Sequence, residues 1–200
     1  HLAGAINGTA ITRGTSFLLD MMDKQIFPEN IKITDNPHIL RGPSSRPFDG
    51  EGVKNAPLAI VQDGMLENWI LDSTSARQLD LTSNGRASRG TSSPPSPSTT
   101  NLFMEAGTVS AKELLADIKD GFYVTELIGS AVNGITGDYS RGASGFWIKD
   151  GLLTHPVNEI TIAGNLKDMY LNMTAADDLE IKYGTDAPTI RIEKMMLAGS

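Results

Sequence analysis

Alternating and helical runs of apolar residues divide the chain into short elements. From Ser16 the run FLLDMMDKQI sets Leu18, Leu19 and Met22 at helical spacing, with Thr15 or Ser16 placed to cap a helix. Residues 30–34 (NIKIT) alternate as a strand, and Asp35-Asn36-Pro37 ends it. PLAIVQ and MLENWIL flank Asp63-Gly64, a dipeptide suited to the positive φ angles of a type I′ turn, so they predict a hairpin. A helix over Ser73–Leu81, capped by Ser73, follows. Ser110-Ala-Lys-Glu113 is a capping box ahead of the stripe Leu114, Leu115, Ile118, with Gly121 at the C′ position. FYVTELIG (122–129), GFWIK (145–149) and VNEITIAG (157–164) read as strands, the last two flanking a second Asp-Gly turn at 150–151. Asn165 predicts the cap of a helix burying Leu166, Met169, Tyr170 and Met173, and two strand-like runs, 178–184 and 188–197, close the chain.

Other segments give weaker patterns. Residues 2–14 are small and interrupted by Gly4 and Gly8, suiting either a closely packed helix or a loop. Residues 41–57 form a polar loop with three of the ten prolines. Every residue from 91 to 100 is Ser, Thr or Pro, so 82–100 reads as a solvated linker or as an ordered polar loop across a cleft. AIVQDGML (59–66) and FWIKDGLL (146–153) look alike through shared hairpin chemistry. Strands joined by tight turns, with few helices, predict the α+β class: mainly antiparallel sheet, sandwich- or barrel-like, with a few short helices.

Composition narrows the chemistry. The 200 residues suit a single domain of residues 1–200 and include no cysteine, which removes disulfides and thiolate metal sites. A net charge of −7 without a basic run argues against nucleic-acid binding, and no apolar run approaches the ~20 residues of a membrane span. His1, His38 and His155 are scattered, with no HExxH-like pair. Gly142-Ala-Ser144-Gly145-Phe146 puts Phe where a GxSxG nucleophile elbow needs Gly, and no phosphate-binding glycine motif is present. The most site-like stretch is the polar loop 137–145, where Asp138, Tyr139, Ser140 and Arg141 stand among glycines. It is a binding wall, or a turn stiffened by an Asp138–Arg141 ion pair. Asp49 with Glu51, and Arg86 with Arg89, are secondary candidates.

These polar segments also carry a resemblance. VNGITGDYSRGASGFWIKDG…PVNEITIAGNLKDM (132–169), SSRPFDGEGV (44–53), SARQLDLTSNGRASRG (75–90), NLFMEAG (101–107) and APTIRIEKMMLAG (187–199) resemble the PmbA/TldE branch of the TldD/PmbA family over essentially the whole chain. The resemblance implies a bacterial cytoplasmic protein, described as a modulator of DNA gyrase or a zinc-dependent protease, with a further N-terminal domain. In the TldD branch zinc is held by an HExxxH helix and a later Cys. The equivalent helix would fall near LAGAINGTAI (2–11) and the Cys near YGTDAP (183–188), and neither offers those ligands. The resemblance therefore implies a subunit without its own zinc or other cofactor. Its expected partners are a TldD-like catalytic subunit that carries the zinc, a peptide substrate, and a second copy in a homodimer; neither nucleic acid nor membrane is expected to bind. An autonomous metallopeptidase using His38, His155 and carboxylates, or an adaptor acting on gyrase, are the alternative expectations.

Overall fold

The computed structural model describes residues 1–199. Two very short helices open the chain, α1 (Leu2–Ala5) and α2 (Gly8–Thr12), the second capped by the Asn7 side chain accepting from Thr9 N. The helix expected from Ser16 is not formed; residues 17–20 run as turns. Phe17 and Leu18 are buried all the same, and tertiary bonds decide the backbone: Ser16 Oγ donates to Ala5 O at 2.6 Å and Phe17 N to Gly134 O at 2.7 Å. Tertiary pairing overrides a weak local preference here.

The first sheet collects β1 (Ile33–Asp35), β2 (Leu58–Gln62), β3 (Met65–Leu66), β6 (Leu102–Met104) and β11 (Thr185–Asp186), in the order β11-β6-β1-β2-β3. The β2–β3 turn has the predicted geometry, with Asp63 at φ 50° and Gly64 at 79°. Between β3 and β6 lie helix α3 (Ser73–Gln78) and a small ribbon, β4 (Ala87–Ser88) with β5 (Ser96–Pro97). Asp72, not Ser73, caps α3, forming a capping box with Ser75. Segment 82–100 is thus ordered, although residues 89–94 are exposed.

The second sheet is built from long strands. Helix α4 (Ala111–Ala116) has the expected Ser110–Glu113 capping box, and its chain passes directly into β7 (Asp120–Val132), so Gly121 lies in a strand, not after a helix. Strands β8 (Asp138–Lys149) and β9 (Leu152–Asn165) follow, then α5 (Leu166–Leu171) capped by Asn165. The strand expected at 178–184 is irregular; the remaining strands are β10 (Met173–Ala175), β12 (Ile190–Ile192) and β13 (Met196–Ala198). Among the described residues the order β13-β9-β8-β7 leaves β7 outermost, while β10 pairs with β12 alone. The sheets are predominantly antiparallel, as expected, with β11–β6 a parallel pair, and no barrel closes among the described residues.

One apolar core lies between Ile33, Ile60 and Leu102 of the first sheet and Tyr139, Ala143 and Ile162 of the second. Phe27 stacks on Tyr170 at 4.6 Å between ring centres, which fixes α5 against it. Beyond the core the β7–β8–β9 strands continue as an arm in which Val124, Ile128 and Leu152 are exposed.

A buried ion pair ties the polar segment to the first sheet. Arg86 and Asp35 have side chains with no exposure and are joined through Arg86 Nε and Asp35 Oδ2. Arg86 also donates to Asp35 O (3.0 Å), Ala56 O (2.6 Å) and Asn84 O (3.0 Å). Asp35 accepts from Thr100 N at 2.7 Å and Thr100 Oγ1 at 2.8 Å. Arg86→Met, which strands a buried carboxylate, is expected to cost about 3–5 kcal/mol in urea unfolding. Pairing it with Asp35→Asn is expected to recover part of that loss.

Gly145 is required by closeness, not by a turn. It lies within β8 opposite Val124, and a Cβ there would sit 1.9 Å from Tyr123 O. Backbone cannot yield as a side-chain tip does, so Gly145→Val is expected to destabilise by about 3 kcal/mol, lowering the melting temperature by about 8 °C. Ser144→Ala is expected to shift it by no more than about 1–2 °C.

Candidate functional site

The stretch 137–145 is not a loop. Only Gly137, at φ 84°, belongs to the turn, and Asp138 onward is the central strand β8. A strand's two-residue period separates the four polar side chains. Asp138 and Ser140 are exposed; Tyr139 is buried and Arg141 half-buried on the other face. The Asp138–Arg141 ion pair is therefore not made. Asp138 stiffens the turn by other means, accepting from Thr136 Oγ1 at 2.6 Å and Asn165 Nδ2 at 3.1 Å. The Thr136 hydroxyl, then the Asn165 amide, hold its carboxyl below the usual carboxylate range.

On the inward face, the Tyr139 ring meets His1 edge-on at 5.7 Å. Burial raises the Tyr139 pKa above that of a free phenol, with the neighbouring Arg141 guanidinium pulling the other way. Arg141 Nη2 donates to Leu127 O at 3.2 Å, and its Nε is buried without a hydrogen-bond partner among the described residues. An unpaired buried guanidinium nitrogen is an incomplete contact that a carbonyl or carboxylate oxygen satisfies.

Next to this strand is a pocket of about 350 Å³. Gly4 and Ala5 of α1 form one side, Ser130, Val132 and Gly134 another, and Phe17 with Leu166 line it from the core. Its walls are tied together: Phe17 N donates to Gly134 O and Leu166 N to Gly137 O, both at 2.7 Å. Small apolar side chains carry no chemical signature, so the sequence does not mark these residues. The glycine-interrupted start of the chain was the available signal.

The secondary candidates are placed elsewhere. Asp49 is buried and accepts from Glu51 N (2.9 Å), Val53 N (2.8 Å) and Ala87 N (3.0 Å). Glu51 Oε2 accepts from Ser73 N at 2.8 Å, in the first turn of α3. With Arg86 buried in its ion pair, these three brace the frame around β4; Arg89 is exposed beside Gly50. No hydrogen bond or ion pair links this group to Asp138–Arg141 among the described residues.

Hydrolytic groups do not converge. Ser144 lies mid-strand opposite Glu126, not on a strand-to-helix elbow. His38 Nε2 is bonded to Asn55 Oδ1 at 2.9 Å, while His155 lies on β9. Among the described residues no three His, Asp or Glu side chains are grouped closely enough to hold a metal ion. No helix among them is long and apolar enough to cross a membrane.

The family model described as PmbA/TldA metallopeptidase C-terminal domain matches residues 1–199. Metalloprotease PmbA of Escherichia coli O157:H7 is 42% identical over 200 residues, covering all of this chain and 42% of the relative. A Bacteroides thetaiotaomicron structure named as a candidate modulator of DNA gyrase aligns with TM-score 0.88 and 28% identity, over all of this chain and 43% of the other. TldE from Thermococcus kodakarensis aligns with TM-score 0.86 over 99% of this chain and 46% of its own, at 22% identity, which is a likeness of fold. The chain spans less than half the length of each.

The Asp138 contacts give a pH-dependent prediction. A depressed carboxylate pKa contributes stability that is present above the unfolded value, near 4, and is lost as pH falls through the folded value. The advantage of wild type over Asp138→Asn in urea midpoint is expected at pH 7 and should shrink steadily below about pH 4.

Proposed function

The chain belongs to the PmbA/TldD metallopeptidase family, and we propose that it acts as the C-terminal part of a PmbA/TldE-type subunit that does not itself cleave peptides. In this reading a TldD-like partner holds the zinc, and the pair degrades or matures unfolded peptides in the cytoplasm. The observation that carries it is the composition of α1. The helix expected to bear metal ligands in the catalytic branch presents Leu2, Ala3, Gly4 and Ala5. The residues present do not fit a zinc ion, because catalytic zinc needs three protein ligands around an open position and no such group exists among the described residues. No hydrolytic step is therefore assigned to this chain.

What its residues can do is bind and orient. β7 is outermost in its sheet, so an extended peptide can pair with its free edge through main-chain hydrogen bonds, a mode indifferent to most side chains. The half-buried Arg141 guanidinium, anchored through Nη2 to Leu127 O, can add a charged donor on the adjacent strand. We assign the cleft wall to α1, the 130–134 segment and the Tyr139–Arg141 face.

The test is reconstitution. Full-length protein alone is expected neither to retain stoichiometric zinc after dialysis nor to cleave an unfolded peptide, and to do so only when mixed with a TldD-like subunit. Zinc retained together with cleavage by the isolated protein supports an autonomous metallopeptidase instead; assembly without any turnover supports an adaptor. Arg141→Ala is expected to reduce turnover by the complex at least about tenfold, a loss of the size of one charged hydrogen bond, while moving the melting temperature by less than about 3 °C.

A further inference from the structure

The pocket beside α1 has a shape that the proposed peptide-handling role does not by itself require. Its lining is mostly apolar or small, with Gly4, Ala5, Phe17, Val132 and Leu166, and its polar members are His1, Thr15 and Ser130. A Cβ added at Gly4 would meet nothing within 4 Å, so the space beside α1 is open. Phe17 and Leu166 are 5% and 2% exposed and are held by the hydrogen bonds to Gly134 and Gly137, so the floor is formed in advance of any ligand. An apolar cavity of about 150 Å³ takes a benzene-sized group; about 350 Å³ therefore has room for a leucine or an aromatic ring.

The pocket also adjoins an irregularity in the outermost strand. Pairing of β7 with β8 skips from Ile128↔Gly142 to Ala131↔Ser140, and Gly129 within the skip has φ 75°. Bulges re-aim side chains and interrupt an edge, and they concentrate beside binding sites. Here the bulge brings Ser130 to the pocket.

We propose that this pocket receives one apolar side chain, up to aromatic size, of an extended peptide running along the β7 edge, so that this subunit selects peptides by a single anchoring residue. The proposal rests on the peptide-binding reading given above. Main-chain pairing then supplies affinity without sequence preference, and the pocket supplies the preference.

The experiment uses the full-length protein without a catalytic partner. Fluorescent, otherwise Ser/Gly/Ala heptapeptides carrying a central Phe, Leu or Ser are titrated and followed by anisotropy. Phe and Leu peptides are expected to bind at least about tenfold tighter than the Ser peptide, as burial of a large apolar side chain dictates. Gly4→Leu should fill the pocket and abolish that preference. It should leave the melting temperature unchanged or higher, since Leu is the better helix former and nothing obstructs its Cβ. Equal affinity for the three peptides in wild type, or a preference surviving Gly4→Leu, overturns the proposal. So does loss of assembly with the TldD-like subunit in Gly4→Leu while peptide binding persists, which would make the pocket a subunit contact. Turnover by the wild-type complex, measured in parallel, reports on the broader function separately: a complex that turns over peptides without apolar preference refutes the pocket alone.

Discussion

The buried pairing of Asp35 with Arg86 is the constraint on which the first half of the molecule depends. Arg86 belongs to a segment with almost nothing apolar to bury, so the usual driving force for ordering a chain is missing there. The guanidinium replaces it by reaching three segments at once: β1 through Asp35, the approach to β2 through Ala56, and its own turn through Asn84. Thr100 completes the carboxylate's partners just before β6. Taking two charges out of water is costly, and each is repaid only because nearly every donor and lone pair is used. The network gives geometry more than net stability: it fixes where the polar chain crosses the sheet.

Around that fixed point, other polar side chains act as braces. Asp49 gathers three backbone N–H groups, one from β4, and Glu51 reaches the start of α3. Of the secondary site candidates, Asp49, Glu51 and Arg86 are thus part of the internal frame of the loops, and Arg89 alone is exposed. A carboxylate flanked by glycines looks the same in sequence whether it faces a ligand or ties its own backbone; burial separates the two, and burial is set by distant strands.

Features governed by neighbouring residues were legible in the sequence. The Ser110–Glu113 and Asn165 caps and both Asp-Gly turns depend on chemistry within four positions, and each lies where its spacing predicts. Features governed by long-range packing were not. The turns at 17–20 have a helical pattern but answer to Ala5 and Gly134. The strand at 138–145 was hidden because a central strand squeezed between two others needs glycine at its close approaches, as at Gly145, and glycine reads locally as loop. At the candidate site the cluster of polar residues at 138–141 was legible, while the opposed facing of Asp138 and Arg141 and the pocket of small residues were not.

The parallel pairing of β11 with β6 has a consequence for how the protein is made. It sets Thr185 beside Leu102, so the flank of the first sheet stays open until the chain through Thr185 has left the ribosome. Meanwhile the hairpins of β7, β8 and β9, which need only local partners, are free to form. A nascent chain therefore presents the β7–β8–β9 arm, still without β13, attached to an unfinished sheet until Thr185 has been made. In that interval the unpaired β6 edge is open to wrong partners, and the chain is most in need of protection by chaperones.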